Sequence, residues 1–228
     1  MPPPTARRTI ENALRRRGYS RVAGVDEVGR GCLAGPVVAA AVVLDPERPV
    51  RGLRDSKLLT PATRERLYGE IVQCAAAWSL DAVEADEIDR INIHNAALLA
   101  MRGALTQLAP PPDFVLVDGF PLPNLRFPQR AVIKGDRVCA AIAAASIVAK
   151  VTRDRQMRQL HAEDPRFGFD RHKGYATRQH LAAIARYGAA PAHRRSFRPF
   201  ASSATMASGP KARTAGLGGR GAGLWGPR

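Results

Sequence analysis

Asp26 and Glu27 stand side by side where an apolar run that begins at Val22 gives way to Gly29-Arg30-Gly31. Two neighbouring carboxylates at the end of a buried strand repel each other and lose hydration. A divalent cation removes both penalties. Three further acids echo them: Asp118 closes DFVLV just ahead of Gly119, Asp136 follows Lys134-Gly135, and Asp154 lies in AKVTRDR. Carboxylate oxygens without His or Cys companions suit Mg²⁺ or Mn²⁺ rather than zinc. Two such ions roughly 4 Å apart can clamp the attacking water and the leaving oxygen of an in-line phosphoryl displacement.

Each isolated acid also has a plainer reading. Asp118-Gly119 fits a tight turn. Asp136 fits a helix N-cap. Asp154, between Arg153 and Arg155, fits a salt-bridged helix residue. The Asp26-Glu27 pair is harder to dismiss in this way.

The acids must be positioned by an alternating α/β unit spanning residues 1–200. A short helix is expected at Thr9 to Arg17, then strands at Arg21 to Glu27 and Pro36 to Leu44. A helix capped by Thr60, with Pro61 in its first turn, comes next. A strand from Trp78 to Val83 precedes an Ala/Leu-rich helix from Asn92 to Leu108. Short strands follow at Asp113 to Val117 and Arg130 to Ile133. A long Ala-rich helix runs from Arg137 to Leu160, with Val138, Ile142, Ala145, Ala149 and Thr152 on one face. A last helix spans Ala176 to Tyr187. Open α/β folds place their chemistry at the carboxyl ends of strands, where Asp26, Glu27 and Asp118 fall on this reading.

Net charge is +15; Lys211, Arg213, Arg220 and Arg228 supply +4 with no acid nearby, so the first 200 residues carry +11. That surplus favours a polyanionic partner such as nucleic acid. A basic surface around an acidic, metal-filled centre suits hydrolysis of a nucleic-acid backbone. Cys32, Cys74 and Cys139 form neither a disulfide framework nor a zinc pattern, which points to a reducing cytoplasm. No apolar run is long enough for a membrane span, and the basic N-terminus lacks a signal peptide's apolar stretch. From Ala201 the chain is rich in Gly, Ala, Ser and Pro and is expected to form a disordered basic tail, with Trp225 a short anchor or incidental. A monomer is expected.

Eight strings in order, DEVGRGCLAGPVVAAAVVL, LRDSKLLT, INIHNAALLAM, VLVDG, IKGD, AAASIVAKVTRDRQM, HKGYAT and HRRSF, resemble bacterial ribonuclease HII over about residues 20 to 200. The resemblance implies a ribonuclease H-like fold: a central mixed sheet flanked by helices, with a small C-terminal helical part. It implies endonucleolytic cleavage of RNA in RNA–DNA hybrids and at single ribonucleotides in duplex DNA, leaving 3′-hydroxyl and 5′-phosphate ends. It assigns Asp26, Glu27, Asp118 and Asp136 as the ligands of two divalent ions, Mn²⁺ or Mg²⁺, which makes Asp136 a ligand as well as a candidate cap. Asp154 is not among them.

Gly29, Arg30 and Gly31 resemble the family's ribose reader. Glycines let the backbone approach a ligand closely, and a 2′-hydroxyl is what separates RNA from DNA. Tyr175 resembles the tyrosine that stacks on the sugar beyond the ribonucleotide. Ser56, Lys57, Lys134, Ser146 and Lys150 are phosphate contacts by the same resemblance, with His172 and Lys173 as further candidates. Cys32 stands where a proline or small residue is usual, and Ala176 replaces the commoner glycine after the tyrosine. A non-catalytic binding protein on this fold accounts for the charge but not for the acids. A transposase-like strand transferase accounts for acids but not for the adjacent Asp-Glu pair.

Overall fold

The computed structural model describes residues 5–200. The tail expected from Ala201, Trp225 included, lies outside the described residues. In chain order the elements are α1 (Thr9–Arg15), β1 (Val22–Val28), β2 (Val37–Leu44), α2 (Pro61–Cys74), β3 (Ala75–Val83), α3 (Ala85–Ile91), α4 (Ile93–Thr106), β4 (Phe114–Asp118), β5 (Gln129–Val132), α5 (Gly135–Val138), α6 (Ala140–Glu163), α7 (Phe169–His172) and α8 (Arg178–Tyr187).

The strands form one sheet in the order β3-β2-β1-β4-β5. β1 pairs antiparallel with β2 and parallel with β4; β2–β3 is antiparallel and β4–β5 parallel. The sheet is mixed, as expected. β2, VVAAAVVL, is buried along its whole length because helices cover both faces. On one face Val22, Ala40, Val42 and Leu116 pack against α6 and against Leu67 and Ile71 of α2. On the other, Ala23, Val25, Ala39, Ala41 and Val117 pack against the alanines of α4. A Cβ on Gly24 would sit 2.2 Å from the Ala141 carbonyl carbon, so a side chain there would push the start of α6 off the sheet. A third cluster, Leu33, Ala34, Met157, Phe167, Phe169, Ile184 and Ala190, ties the C-terminal helices to the end of α6.

Several element boundaries differ from the expectations. β1 runs on to Val28, so Asp26 and Glu27 lie inside the strand, paired with Ala40 and Ala39. β4 ends on Asp118 itself, so this acid is a strand terminus and the hairpin-turn reading of Asp118-Gly119 fails: the chain continues to a parallel strand. β3 begins at Ala75, continuing its pairing with β2, and α3 follows it without having been expected. Thr60 caps α2 as expected, accepting from the Thr63 amide at 3.2 Å.

The largest correction concerns the long helix. It does not run unbroken from Arg137. Cys139 is extended (φ −115°, ψ 120°) and separates α5 from α6. Arg7 forms a parallel bridge to Cys139 and holds it out of the helix. The buried Glu11 carboxylate then accepts from the Ala141 amide at 2.8 Å. A distant acid therefore does the capping expected of Asp136, at the position where a helix's unpaired amides favour negative charge. Asp136 sits in the first turn of α5 and makes no cap bond. None of the described helices is long and apolar enough to cross a membrane.

Candidate active site

β1 and β4 are parallel neighbours, with Val25 beside Val117. Continuing that register by one residue sets Asp26 beside Asp118 on adjacent strands. Both face the α6 side, because Leu116 and Val22, two and four residues earlier, pack on that face. The loop after β5 brings in the third acid. Gly135 donates its amide to Asp118 Oδ1 at 2.7 Å, which docks the first turn of α5, and Asp136 with it, onto the end of β4.

These acids are not neutralised by the protein. Asp26 is 7% exposed. Burial pushes its carboxyl well above the usual carboxylate range, and the charges of Glu27 and Asp118 push it further. Hydrogen bonds from Ser146 and from the Glu27 amide, the latter at 2.8 Å, offset only part of this. Asp136 is raised by burial, then by Asp55 and Asp118, against the weaker pull of Lys57 and Arg137. Buried carboxylates that repel one another in this way are stabilised by a cation, and oxygen-only donors suit a hard divalent one.

Glu27 is placed differently from the other three. Strand alternation sets it against Asp26, and its carboxylate pairs with the Arg30 guanidinium at 3.1 Å. Among the described residues no three Asp, Glu, His or Cys side chains are gathered closely enough to hold one ion as they stand. Asp26, Asp118 and Asp136 are thus electrostatic neighbours, and Glu27 is engaged by Arg30.

Around the acids, the DSK segment forms a short 3-10 turn. Asp55 caps it by accepting from the Lys57 amide at 2.9 Å and is held by Arg137 at 3.2 Å. Ser56 Oγ meets Ser146 Oγ at 3.0 Å, so both expected serines lie in one hydrogen-bonded pair behind Asp26. Lys57 is exposed beside Asp136, and Lys134 is exposed with left-handed backbone (φ 54°) just before Gly135. Lys150 is less free than expected: it pairs with Asp154 at 2.6 Å. Asp154 also lies 4.0 Å from Arg64, so it is salt-bridged as expected.

The Gly29-Arg30-Gly31 turn is clamped from behind by two arginines to which the sequence reading gave no role. Arg153, fully buried, donates to the carbonyls of Pro36, Lys173 and Ala34 at 2.8, 2.9 and 3.0 Å. Arg194, also fully buried, donates to Gly35 twice, at 2.8 and 3.0 Å, and to Arg30 at 3.0 Å. Burial, and then the charge of Arg153, brings the Arg194 guanidinium down to about 10. Gly29 has φ +95°, and a Cβ there would meet Arg153 Nε at 2.2 Å. Nothing lies within 4 Å of a Cβ built on Gly31, so its backbone is open to a ligand.

Tyr175 is 42% exposed and comes to the same turn from the C-terminal helices. The Leu33 amide donates to the Gly174 carbonyl at 2.8 Å. The phenol is raised by burial first and then by Cys32, with which it hydrogen-bonds. A groove of about 550 Å³ runs past Tyr175, lined by Arg64, Lys150, Arg158, Arg171 and Lys173. His172 and Lys173 therefore lie at its wall, with Lys173 lowered by burial. The missed residues had signals of a kind: Asp55 lies within LRDSKLLT, Arg153 within TRDR and Arg194 within HRRSF. Charge runs usually mark solvated surface, which concealed them.

The structure resembles the ribonuclease H2 of Pyrococcus horikoshii, with a TM-score of 0.68, 28% identity, and 80% of this chain and 96% of that one covered. It also resembles the RNase HII solved in a PCNA:RNase HII complex from Archaeoglobus fulgidus, at a TM-score of 0.66, 28% identity, and 77% and 94% covered. Fold and acids together define a nuclease of the ribonuclease H-like class. The family model described as Ribonuclease HII matches residues 23–200. Curated relatives include Ribonuclease HII of Solibacter usitatus, 56% identical over 84% of this chain and 83% of that protein. Another is Ribonuclease HII of Cupriavidus necator, 55% identical over 78% and 76%. The chain belongs to the ribonuclease HII family.

Proposed function

We propose that this nuclease cuts the RNA strand of RNA–DNA hybrids and cuts at single ribonucleotides embedded in duplex DNA. Products carry 3′-hydroxyl and 5′-phosphate ends, and catalysis depends on Mn²⁺ or Mg²⁺. One observation carries the reading. Two buried acids, Asp26 and Asp136, are each repelled by the half-buried Asp118, a glycine turn with open backbone follows Asp26 and Glu27 in the chain, and a groove rich in arginine and lysine passes Tyr175.

Asp26, Asp118 and Asp136 are the residues that would hold the ions, with Glu27 joining once Arg30 releases it. Bound there, two divalent cations would activate water and stabilise the leaving oxygen. The chain's own groups supply position. Ser146 and the Glu27 amide orient Asp26. The Gly135 amide orients Asp118. Arg153 and Arg194 fix the Gly29–Gly31 turn, whose amides and carbonyls can meet a 2′-hydroxyl. Tyr175 packs against the neighbouring sugar. Ser56, Lys57, Lys134 and the groove's arginines face phosphates, which fix the register of the duplex. Lys150 reaches a phosphate once it leaves Asp154.

The test is incubation with a labelled DNA duplex holding one ribonucleotide, with and without Mn²⁺ or Mg²⁺. Metal-dependent scission beside the ribonucleotide is expected, with the all-DNA duplex left intact. Equal cutting of both duplexes would remove the sugar-sensing role of the turn.

A further inference from the structure

Three histidines lie outside the acid site and belong to no step above. His172 ends α7, His180 lies in the first turn of α8, and His193 follows α8. The His172 and His180 rings stack, centroids 4.4 Å apart and planes 18° apart. His180 Nε2 and His193 Nε2 are 3.1 Å apart. Phe169 lies edge-on to His172 and His180, and tilted against His193.

The backbone groups at the ends of this cluster fix which nitrogen carries each proton. His180 Nδ1 faces the Tyr175 carbonyl at 2.9 Å, and a carbonyl only accepts, so Nδ1 carries hydrogen. The Ala190 amide donates to His193 Nδ1 at 2.9 Å, so that nitrogen carries a lone pair; the Ala190 carbonyl, at 3.3 Å, is the weaker contact. His193 Nε2–H then donates to His180 Nε2. On the third ring, the Gly174 amide donates to His172 Nδ1 at 3.2 Å, and Nε2–H donates to the Phe167 carbonyl at 2.8 Å. The result is a directed chain from Ala190 through two imidazoles to Tyr175, with His172 stacked on it and holding Gly174.

Both ends of the Gly174–Tyr175 dipeptide are thereby held by imidazole. The same Gly174 carbonyl receives the Leu33 amide beside the glycine turn. We infer that His180, oriented by His193 and stacked on His172, is a positioning residue that sets Tyr175 against the sugar of the bound strand. The inference rests on the reading of Tyr175 as a sugar contact. It makes affinity for the ribonucleotide-containing duplex, rather than the chemical step, depend on a ring that never meets substrate.

The test measures KM and kcat on a duplex with one ribonucleotide at saturating Mn²⁺. His180→Phe keeps a planar aromatic ring, somewhat larger than imidazole, and removes both nitrogens. It should raise KM about 5- to 10-fold, the equivalent of one net hydrogen bond, with kcat changed less than about 2-fold. His180→Asn, whose amide can replace Nδ1, should recover most of that loss. If His180→Phe does not fold, the same split is read from His193→Gln, which can restore a donor toward His180, and His193→Leu, which cannot. Gln is expected to show the lower KM. Tyr175→Ala is the reference. If it raises KM while the histidine variants do not, the positioning inference is overturned and the role of Tyr175 stands. If Tyr175→Ala leaves KM unchanged, the sugar-contact reading itself fails.

Discussion

Asp26 and Arg153 are both charged and both buried, 7% and 0% exposed, yet the fold treats them in opposite ways. Arg153 is surrounded by carbonyls that accept each of its three nitrogens. Asp26 feels the charges of two other carboxylates, Glu27 and Asp118, and among the described residues no lysine or arginine pairs with it. A third case, Asp154, is as buried as Asp26 at 8% but is answered by Lys150 and Arg64. A buried charge that the chain satisfies fixes geometry. A buried charge that the chain leaves without a counter-charge is a candidate for a ligand from outside. The C-terminal region is of the first kind and the sheet centre of the second.

The largest effect that would break this contrast is on turnover. Asp118→Asn and Asp26→Asn should each lower kcat by about 10³-fold, the scale of losing a preorganised electrostatic group, while Asp154→Asn changes it less than about 3-fold. Steady-state cleavage of the ribonucleotide duplex checks this, and equal losses for all three acids would erase the distinction. Next comes stability. Arg153→Met leaves three carbonyls without their donors and should destabilise the fold by about 2–4 kcal/mol in urea titration. A neutral result would mean that the arginine is not a clamp.

Removing an unsatisfied acid should do the reverse. In the presence of chelator, Asp26→Asn should raise the melting temperature by about 2 °C or more. The sign follows from its raised carboxyl. Protonated Asp26 is favoured in the folded state, and that contribution is lost as pH rises through the raised value. The gain from the substitution should therefore grow with pH, and a loss of stability on substitution would contradict the assignment.

The smallest effect belongs to the imidazoles. Burial, together with the neighbouring His172 and His193, brings His180 down to about 4, against favourable contacts from the Tyr175 carbonyl and Gly174. The unfolded chain thus binds a proton that the folded one does not. Stability present above about pH 6.5 should fall as pH drops toward 4. His180→Phe should flatten that part of the pH–stability curve, and an unchanged slope would assign the titration elsewhere.

Much of this was legible in the sequence because alternation and apolar runs report burial directly. VVAAAVVL and DFVLV read as strands, and both are strands in the sheet. The family strings then ordered the acids. What was not legible came from contacts distant in sequence. Nothing in TIENALR announces that Glu11 caps a helix starting at Ala140, and this displaced the cap reading of Asp136. Lys150 carries the right charge for phosphate, yet its i,i+4 partner Asp154 occupies it. Arg153 and Arg194 drew no role from the sequence, since burial of a guanidinium depends on carbonyls supplied by a separate loop. The engagement of Glu27 by Arg30 likewise depends on how the glycine turn folds back.

The central claim is that Asp26, Asp118 and Asp136 form one site for divalent cations. Calorimetric titration of Mn²⁺ tests it without any substrate. Binding to the wild type should weaken about 10-fold or more in Asp26→Asn, Asp118→Asn and Asp136→Asn, and stay unchanged in Asp154→Asn. Undiminished binding by the first three variants would contradict the account.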